Sequence, residues 1–359
     1  MLLGAVESSS PSHAQEPAPV KLGLVLAAAH GDTLRMENAR RGAELAVQQV
    51  NRRGGVRGRA VQLVVREIRG PWGSGSKVIV DLVFEEGVRA LLTSLDGRNA
   101  HLVLQVAAKS RTALVATWAT DPTLSQAFVP WFARVVPDDR QLAAALVREI
   151  YDERGLGRVA LVAAGTIDAR MAREAFERGA DSAGHAVSLS FIYRDDARER
   201  DSVAALLGEN GIDAVVLLGP ATQSLRMIQE IRRRGVTAPV FGTLSLALVM
   251  RNGRGSRGLG EVVVPDPELR ETAEGRAFVK MFRTEYGSEP GPAAAYAYDG
   301  ARVLLAAIER GGPDRASIRR SLAAGRHTAG ATGDITLGEM GNRLTSVKLV
   351  AVRDGMPPR

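Results

Sequence analysis

The sequence predicts an α/β protein of two lobes, each a doubly wound parallel sheet. Three observations predict it. Short aliphatic runs alternate with longer stretches whose apolar residues recur every three or four positions, the patterns of buried strands and one-faced helices. Strand, helix and strand follow one another through short connections, which is the right-handed crossover of a parallel sheet. The alternation breaks at an aperiodic segment near 128–139 and then restarts, in a chain of 359 residues that is long enough to bury two cores.

The first unit spans 20–63. Residues 22–29, LGLVLAAA, form a short apolar run suited to a strand buried on both faces. A polar break at His30, Gly31 and Asp32 follows. Met36, Ala39, Ala43, Ala46, Val47 and Val50 then mark one face of a helix that ends at Gly54-Gly55. Residues 60–68 are the next strand. After the glycine-rich loop 69–77, helices at 78–84 and 102–108 alternate with strands at 88–93 and 113–117. In such a sheet the ligand edge is the carboxyl end of the strands, here 27–32, 93–99 and 117–121.

Beyond 139 the pattern resumes. Helices are predicted at 141–154, 169–182, 200–209 and 222–234, and strands at 158–163, 186–193, 214–218 and 239–242. These make a second lobe of the same kind.

Composition excludes several classes. Lys and Arg outnumber Asp and Glu by 47 to 40, yet the arginine clusters fall at predicted helix ends, where they complement the helix dipole and face water. No nucleic-acid motif accompanies them. With no cysteine there is no disulfide, thiolate metal site or cysteine nucleophile. No stretch is apolar for long enough to span a membrane. The five histidines are scattered without metal spacing, and no glycine-rich run ends in Gly-Lys-Ser/Thr. GRGSRG at 253–258 matches G-x-G-x-x-G, but a helical run precedes it and a strand-like run follows, so it is read as a surface loop. Ser74 and Ser76 lack the strand-to-helix turn of a nucleophile elbow. Nothing in the sequence argues for catalysis.

The segment 42–67, GAELAVQQVNRRGGVRGRAVQLVVRE, resembles the start of the periplasmic solute-binding proteins of the branched-chain amino acid type. Gly42, Ala43, Glu44, Asn51, Gly54, Gly55, Val56 and Gly58 stand where that pattern puts them. The resemblance continues through TDPTL at 120–124, FARVVPDD at 132–139 and YGSEPGPAAAYAYDG at 286–300, and runs from about Val20 to Gly355. It implies a type I periplasmic-binding fold with a three-segment hinge. Lobe 1 would comprise 20–134 and 266–327, and lobe 2 would comprise 135–265 and 328–359. The crossings are expected near 128–139, 262–266 and 325–333, and the closing strands 335–337 and 347–352 would join the second lobe.

The resemblance also implies a small-molecule ligand held between the lobes and handed to the membrane subunits of an ABC importer, by a monomer without a cofactor, in the periplasm. A sensor of the same fold, signalling to a partner by lobe closure, is the alternative. Residues 1–19 fit a remnant of a signal peptide, with Ser12-His13-Ala14 before Gln15 as the cleavage box, or else a disordered tail.

Site residues follow position by position. In the resembled family, hydroxyls and backbone N–H groups of the first lobe hold a carboxylate, and an acid of the second lobe pairs with an ammonium. Asp96, Gly97 and Arg98 occupy the loop where the family favours adjacent serines, and Asp96 would repel a carboxylate. Trp118, Ala119 and Thr120 form the next loop. Thr120 keeps a hydroxyl; Trp118 is either packing beneath the loop or a stacking surface for an aromatic, sugar-like or cationic ligand. Asp168 stands where a Tyr-Gly pair is frequent, and Thr243 lies in the segment, GTLS, that usually carries the ammonium-binding acid. His30 either faces the cleft or is structural. The expectation is a retained fold with a changed ligand.

Overall fold

The computed structural model describes residues 17–27, 32–69, 73, 75–126, 130–250, 257–267, 269, 271–324 and 328–353. The leader expected at the N-terminus, His30, Ser74 and most of GRGSRG lie largely or wholly outside these.

Aliphatic sequence builds the first sheet. Its strands β1 (Val20–Ala27), β2 (Val61–Ile68), β3 (Ala90–Ser94), β4 (Ala113–Ala116) and β5 (Phe132–Arg134) are ordered β2-β1-β3-β4-β5, all parallel. Four helices interleave with them: α1 (Thr33–Asn51), α2 (Gly75–Val80) with a π-helical turn at Asp81–Glu85, α3 (Gly97–Ser110) and the short α4 (Thr123–Gln126). Each long helix begins on a side-chain cap. Asp32 accepts from the Arg35 N–H and Asp96 from the Asn99 N–H, satisfying amides that have no partner within the helix.

The second unit opens with a capping box. Asp138 accepts from the amides of Arg140 and Gln141, and the Gln141 side chain accepts from the Asp138 amide, which starts α5 (Asp139–Val147) and its π-helical extension Arg148–Glu153. Then follow β6 (Val159–Ala164), α6 (Ile167–Ser182), β7 (Leu189–Tyr193), α7 (Ala197–Glu209), β8 (Ala214–Leu218), α8 (Ala221–Arg233), β9 (Val240–Gly242), α9 (Leu244–Met250) and β10 (Glu261–Asp266). The chain returns to the first unit as α10 (Ala273–Tyr286), α11 (Pro292–Gly311), α12 (Arg315–Ala323) and the hairpin β11 (Thr328–Gly330) and β12 (Gly333–Ile335). It ends in β13 (Lys348–Arg353). The second sheet has the order β13-β10-β9-β8-β6-β7, parallel except for β13.

Each sheet is buried by helices on its faces, the doubly wound arrangement expected. One face of the first sheet is covered by α1, α10 and α11, the other by α2 and α3. Helices α1 and α11 cross so closely that a Cβ on Gly42 would lie 2.0 Å from the Ala294 carbonyl oxygen. Only glycine permits that approach.

The chain passes between the units three times, though not everywhere where expected. Residues 261–266 are not a crossing but strand β10, paired with β9 and β13, so the return follows it. Ile335 and Leu337, expected on the second sheet, are buried in the first core beside Ala331 and Tyr298. The last crossing therefore comes after Leu337. Buried polar groups tie the crossings together. The Arg134 amide donates to the Gly341 carbonyl (2.8 Å), its guanidinium donates to Asn342 Oδ1 (3.1 Å), and the Arg343 amide donates to the Arg134 carbonyl (3.1 Å). Arg343 also donates to Thr332 Oγ1 (2.6 Å), and Thr332 in turn donates to the fully buried Asp299 (2.6 Å). Asp299 accepts from the Ala331 and Thr332 amides as well.

Candidate functional site

Because all but one of the paired strands in the two sheets run parallel, the helix N-termini and loops gather at the carboxyl edge of each sheet. These edges face each other across a cavity of about 310 Å³. From the first sheet, the loop after β1 contributes Asp32 and Arg35, the loop after β3 contributes Asp96 and Arg98, and the loop after β4 contributes Trp118 and Thr120. From the second, the turn after β6 brings Gly165, Thr166 and Asp168, the turn after β8 brings Gly219 and Pro220, and the turn after β9 brings Thr243 and Ser245. Asp139 and Leu142 on α5, just past the first crossing, close the hinge side.

Six of the expected positions therefore line one cavity: Asp96, Arg98, Trp118, Thr120, Asp168 and Thr243. Gly97 sits behind this wall and donates its amide to both carboxylate oxygens of Asp168, at 3.1 and 3.2 Å. Ala119 is not a wall residue. Its side chain is buried in the first core, and its carbonyl accepts from Arg134 at 3.1 Å. His30 falls outside the described residues. Trp118 packs beneath the loop, 8% exposed and in contact with the cluster of Val136, Leu142, Leu244 and Tyr296, and it also contributes to the wall. The Arg35 guanidinium lies 5.9 Å from its ring centroid.

Sequence reasoning missed two charged wall residues, Arg35 and Asp139. Arg35 is 2% exposed and falls on the buried face of α1 that includes Ala39, Gly42 and Ala46, so the helical phase carried a signal. It donates to Asp32 Oδ2 (3.0 Å) and to the carbonyls of Ser94 and Ala27. Asp139 was hidden by its neighbour, because an aspartate pair at a helix start reads as cap and dipole partner. Asp138 is that cap; Asp139 faces the cavity and is 3% exposed.

Four carboxylates thus share the wall with two guanidinium groups, and burial acts on two of them, Asp139 and Asp168. Asp139 is pushed up to about 7 by burial, against a hydrogen bond from the Thr120 side chain and the Arg134 charge, and with the Asp168 and Asp121 charges adding to the rise. Its Oδ2 has no hydrogen-bond partner among the described residues. Asp168 is pushed up to about 6, by burial first and then by the Asp96 charge, while the Gly97 amide pulls the other way. Among the described residues no group of acids and histidines is arranged to hold a metal, and no helix is long and apolar enough to cross a membrane.

The sequence profile of the periplasmic binding protein family matches residues 19–355. The chain belongs to that family. A Leu/Ile/Val-binding protein, BraC3 of Rhizobium johnstonii, is 22% identical over 346 residues, covering 92% of this chain and 90% of that protein. The leucine-binding protein LivK of Thermotoga maritima superposes with a TM-score of 0.85 at 21% identity, covering 94% of this chain and 96% of the other. A solute-binding protein of an ABC transporter from R. palustris, solved with benzoate, gives 0.81 at 19% identity, covering 95% and 97%. At these identities the structural likeness establishes the type I fold of this binding protein. The arrangement of charges described above is read from its own residues.

Proposed function

We propose that this binding protein captures a small organic ligand between its lobes, outside the cytoplasm, and delivers it to the membrane subunits of an ABC importer. We assign no catalytic step to it. The observation that carries the reading is the cavity at the facing carboxyl edges of the two sheets, bridged by Asp168 of one unit and Gly97 of the other. A cleft so placed changes shape when the hinge moves, so a ligand touching both walls favours the closed form by its differential affinity. Full reversal from 1:99 to 99:1 takes about 5.5 kcal/mol.

The ligand is not a standard branched-chain amino acid. Three features support this. Asp96 stands at the wall where a carboxylate would have to sit, the Gly97 amide is already engaged by Asp168, and the segment 242–245 contains no acid for an ammonium. Thermal unfolding of refolded protein against amino acids, amides, aromatic acids, polyols and amines tests the reading. A ligand at 100 times its Kd adds about 2.7 kcal/mol. Micromolar binding of leucine, isoleucine or valine would sink the ligand assignment. Absence of any small-molecule binding, with no contraction in solution scattering, would sink the whole reading.

A further inference from the structure

We infer that the cavity takes a small organic cation, an amine or amidinium without a carboxylate of its own, and that Asp139 is its charge partner. The inference rests on the binding-protein reading above and deepens it. Asp139 is almost wholly buried, lines the cavity, and keeps one carboxylate oxygen without a donor among the described residues. A buried acceptor left open costs free energy until a donor reaches it, and a charged donor returns most. Asp139 lines the cavity, so a ligand bound there can bring that donor.

The remaining charges point the same way. Asp32, Asp96, Asp139 and Asp168 share the wall with Arg35 and Arg98, an excess of negative charge. Arg35 is engaged by Asp32 and two backbone carbonyls. The amide at the start of α3, the natural seat for an anion, holds the Asp168 carboxylate instead. An anionic ligand would have to displace Asp168 and then lie against Asp96 and Asp139. A cation meets carboxylates from both units on the wall. The rest of its body has apolar wall to cover: Leu142, Ile167, Ala172, Pro220, Leu244 and the exposed part of Trp118. The volume sits at the small end for ligand cavities.

The test is calorimetric titration of the refolded full chain with benzylamine, benzamidine, putrescine and agmatine, and with benzoate and leucine as anionic and zwitterionic counterparts. At least one cation is expected to bind at pH 8. Its affinity is expected to fall at least tenfold by pH 5, as the wall carboxylates Asp139 and Asp168 gain protons beside the guanidinium groups of Arg35, Arg98 and the nearby Arg134. Asp139→Asn, checked for native circular dichroism, should lose at least tenfold in cation affinity; if that variant does not fold, a wild-type affinity that stays flat from pH 8 to pH 5 overturns pairing of the cation with the wall carboxylates. Cation binding that is unchanged in Asp139→Asn overturns the role of Asp139. Binding of benzoate or leucine alone overturns the cation assignment and leaves the solute-binding reading standing. No binding by any member, with no contraction in scattering, overturns both.

Discussion

Replacing Asp139 by Asn separates the demands of the cleft from those of stability. The carboxyl group of Asp139 titrates near 7 in the folded protein against about 3.8 for an ordinary aspartate, because burial and the Asp168 and Asp121 charges oppose its ionisation. An acid whose pKa is raised on folding binds more protons folded than unfolded across that interval. Stability is therefore complete below about pH 4, declines between 4 and 7, and has lost the whole difference above 7. Three units at about 1.4 kcal/mol each give about 4 kcal/mol as the upper limit, and the adjoining cavity lowers the real figure by admitting water. Asn keeps an acceptor for the Thr120 hydroxyl and never ionises. Urea unfolding of both proteins from pH 4 to pH 8 is the assay. The variant should match the wild type at pH 4 and exceed it by about 2–4 kcal/mol at pH 8. A constant gap across the range, or a less stable variant at pH 8, would refute the reasoning.

Other outcomes follow from named contacts. Asp168→Ala removes the carboxylate that spans from α6 to the α3 amide, so the ligand-free protein should show a larger radius of gyration in solution scattering; an unchanged radius counts against a bridging role. Gly42→Ala should destabilise by about 1–3 kcal/mol in denaturant unfolding despite the better helix propensity of alanine, because the new Cβ meets the Ala294 backbone. A stabilised variant would mean that α1 and α11 separate easily. Asp299→Ala leaves the buried Ala331 and Thr332 amides and the Thr332 hydroxyl without an acceptor, and should cost about 3 kcal/mol or more. Loss below about 1 kcal/mol would show that water replaces the carboxylate.

Much of the fold was legible because burial leaves a local imprint. Aliphatic runs at β1, β6 and β8, each followed within a few residues by a helix, required parallel sheets, and the restart after the first crossing required a second one. The candidate cavity was legible to the extent that loops at the carboxyl edge of such sheets meet. That is why Asp96, Trp118 and Thr120 were found from the first sheet and Asp168 and Thr243 from the second. Elements at the hinge were not. Ile335 and Leu337 make the same short apolar pattern whether they add to one sheet or fill the core of the other.

What the sequence determined by itself was the periodicity, hence the α/β architecture, the edges at which a site forms and the family to which the chain belongs. Tertiary structure decided which charges meet there. Gly97 and Asp168 are 71 positions apart, and nothing local marks one as the partner of the other. Asp139 looks like an ordinary first-turn acid until the two units enclose it. Periodicity records how each segment is buried along its own axis, whereas an electrostatic site is a sum over groups brought together by folding, in a medium whose polarity the fold itself sets.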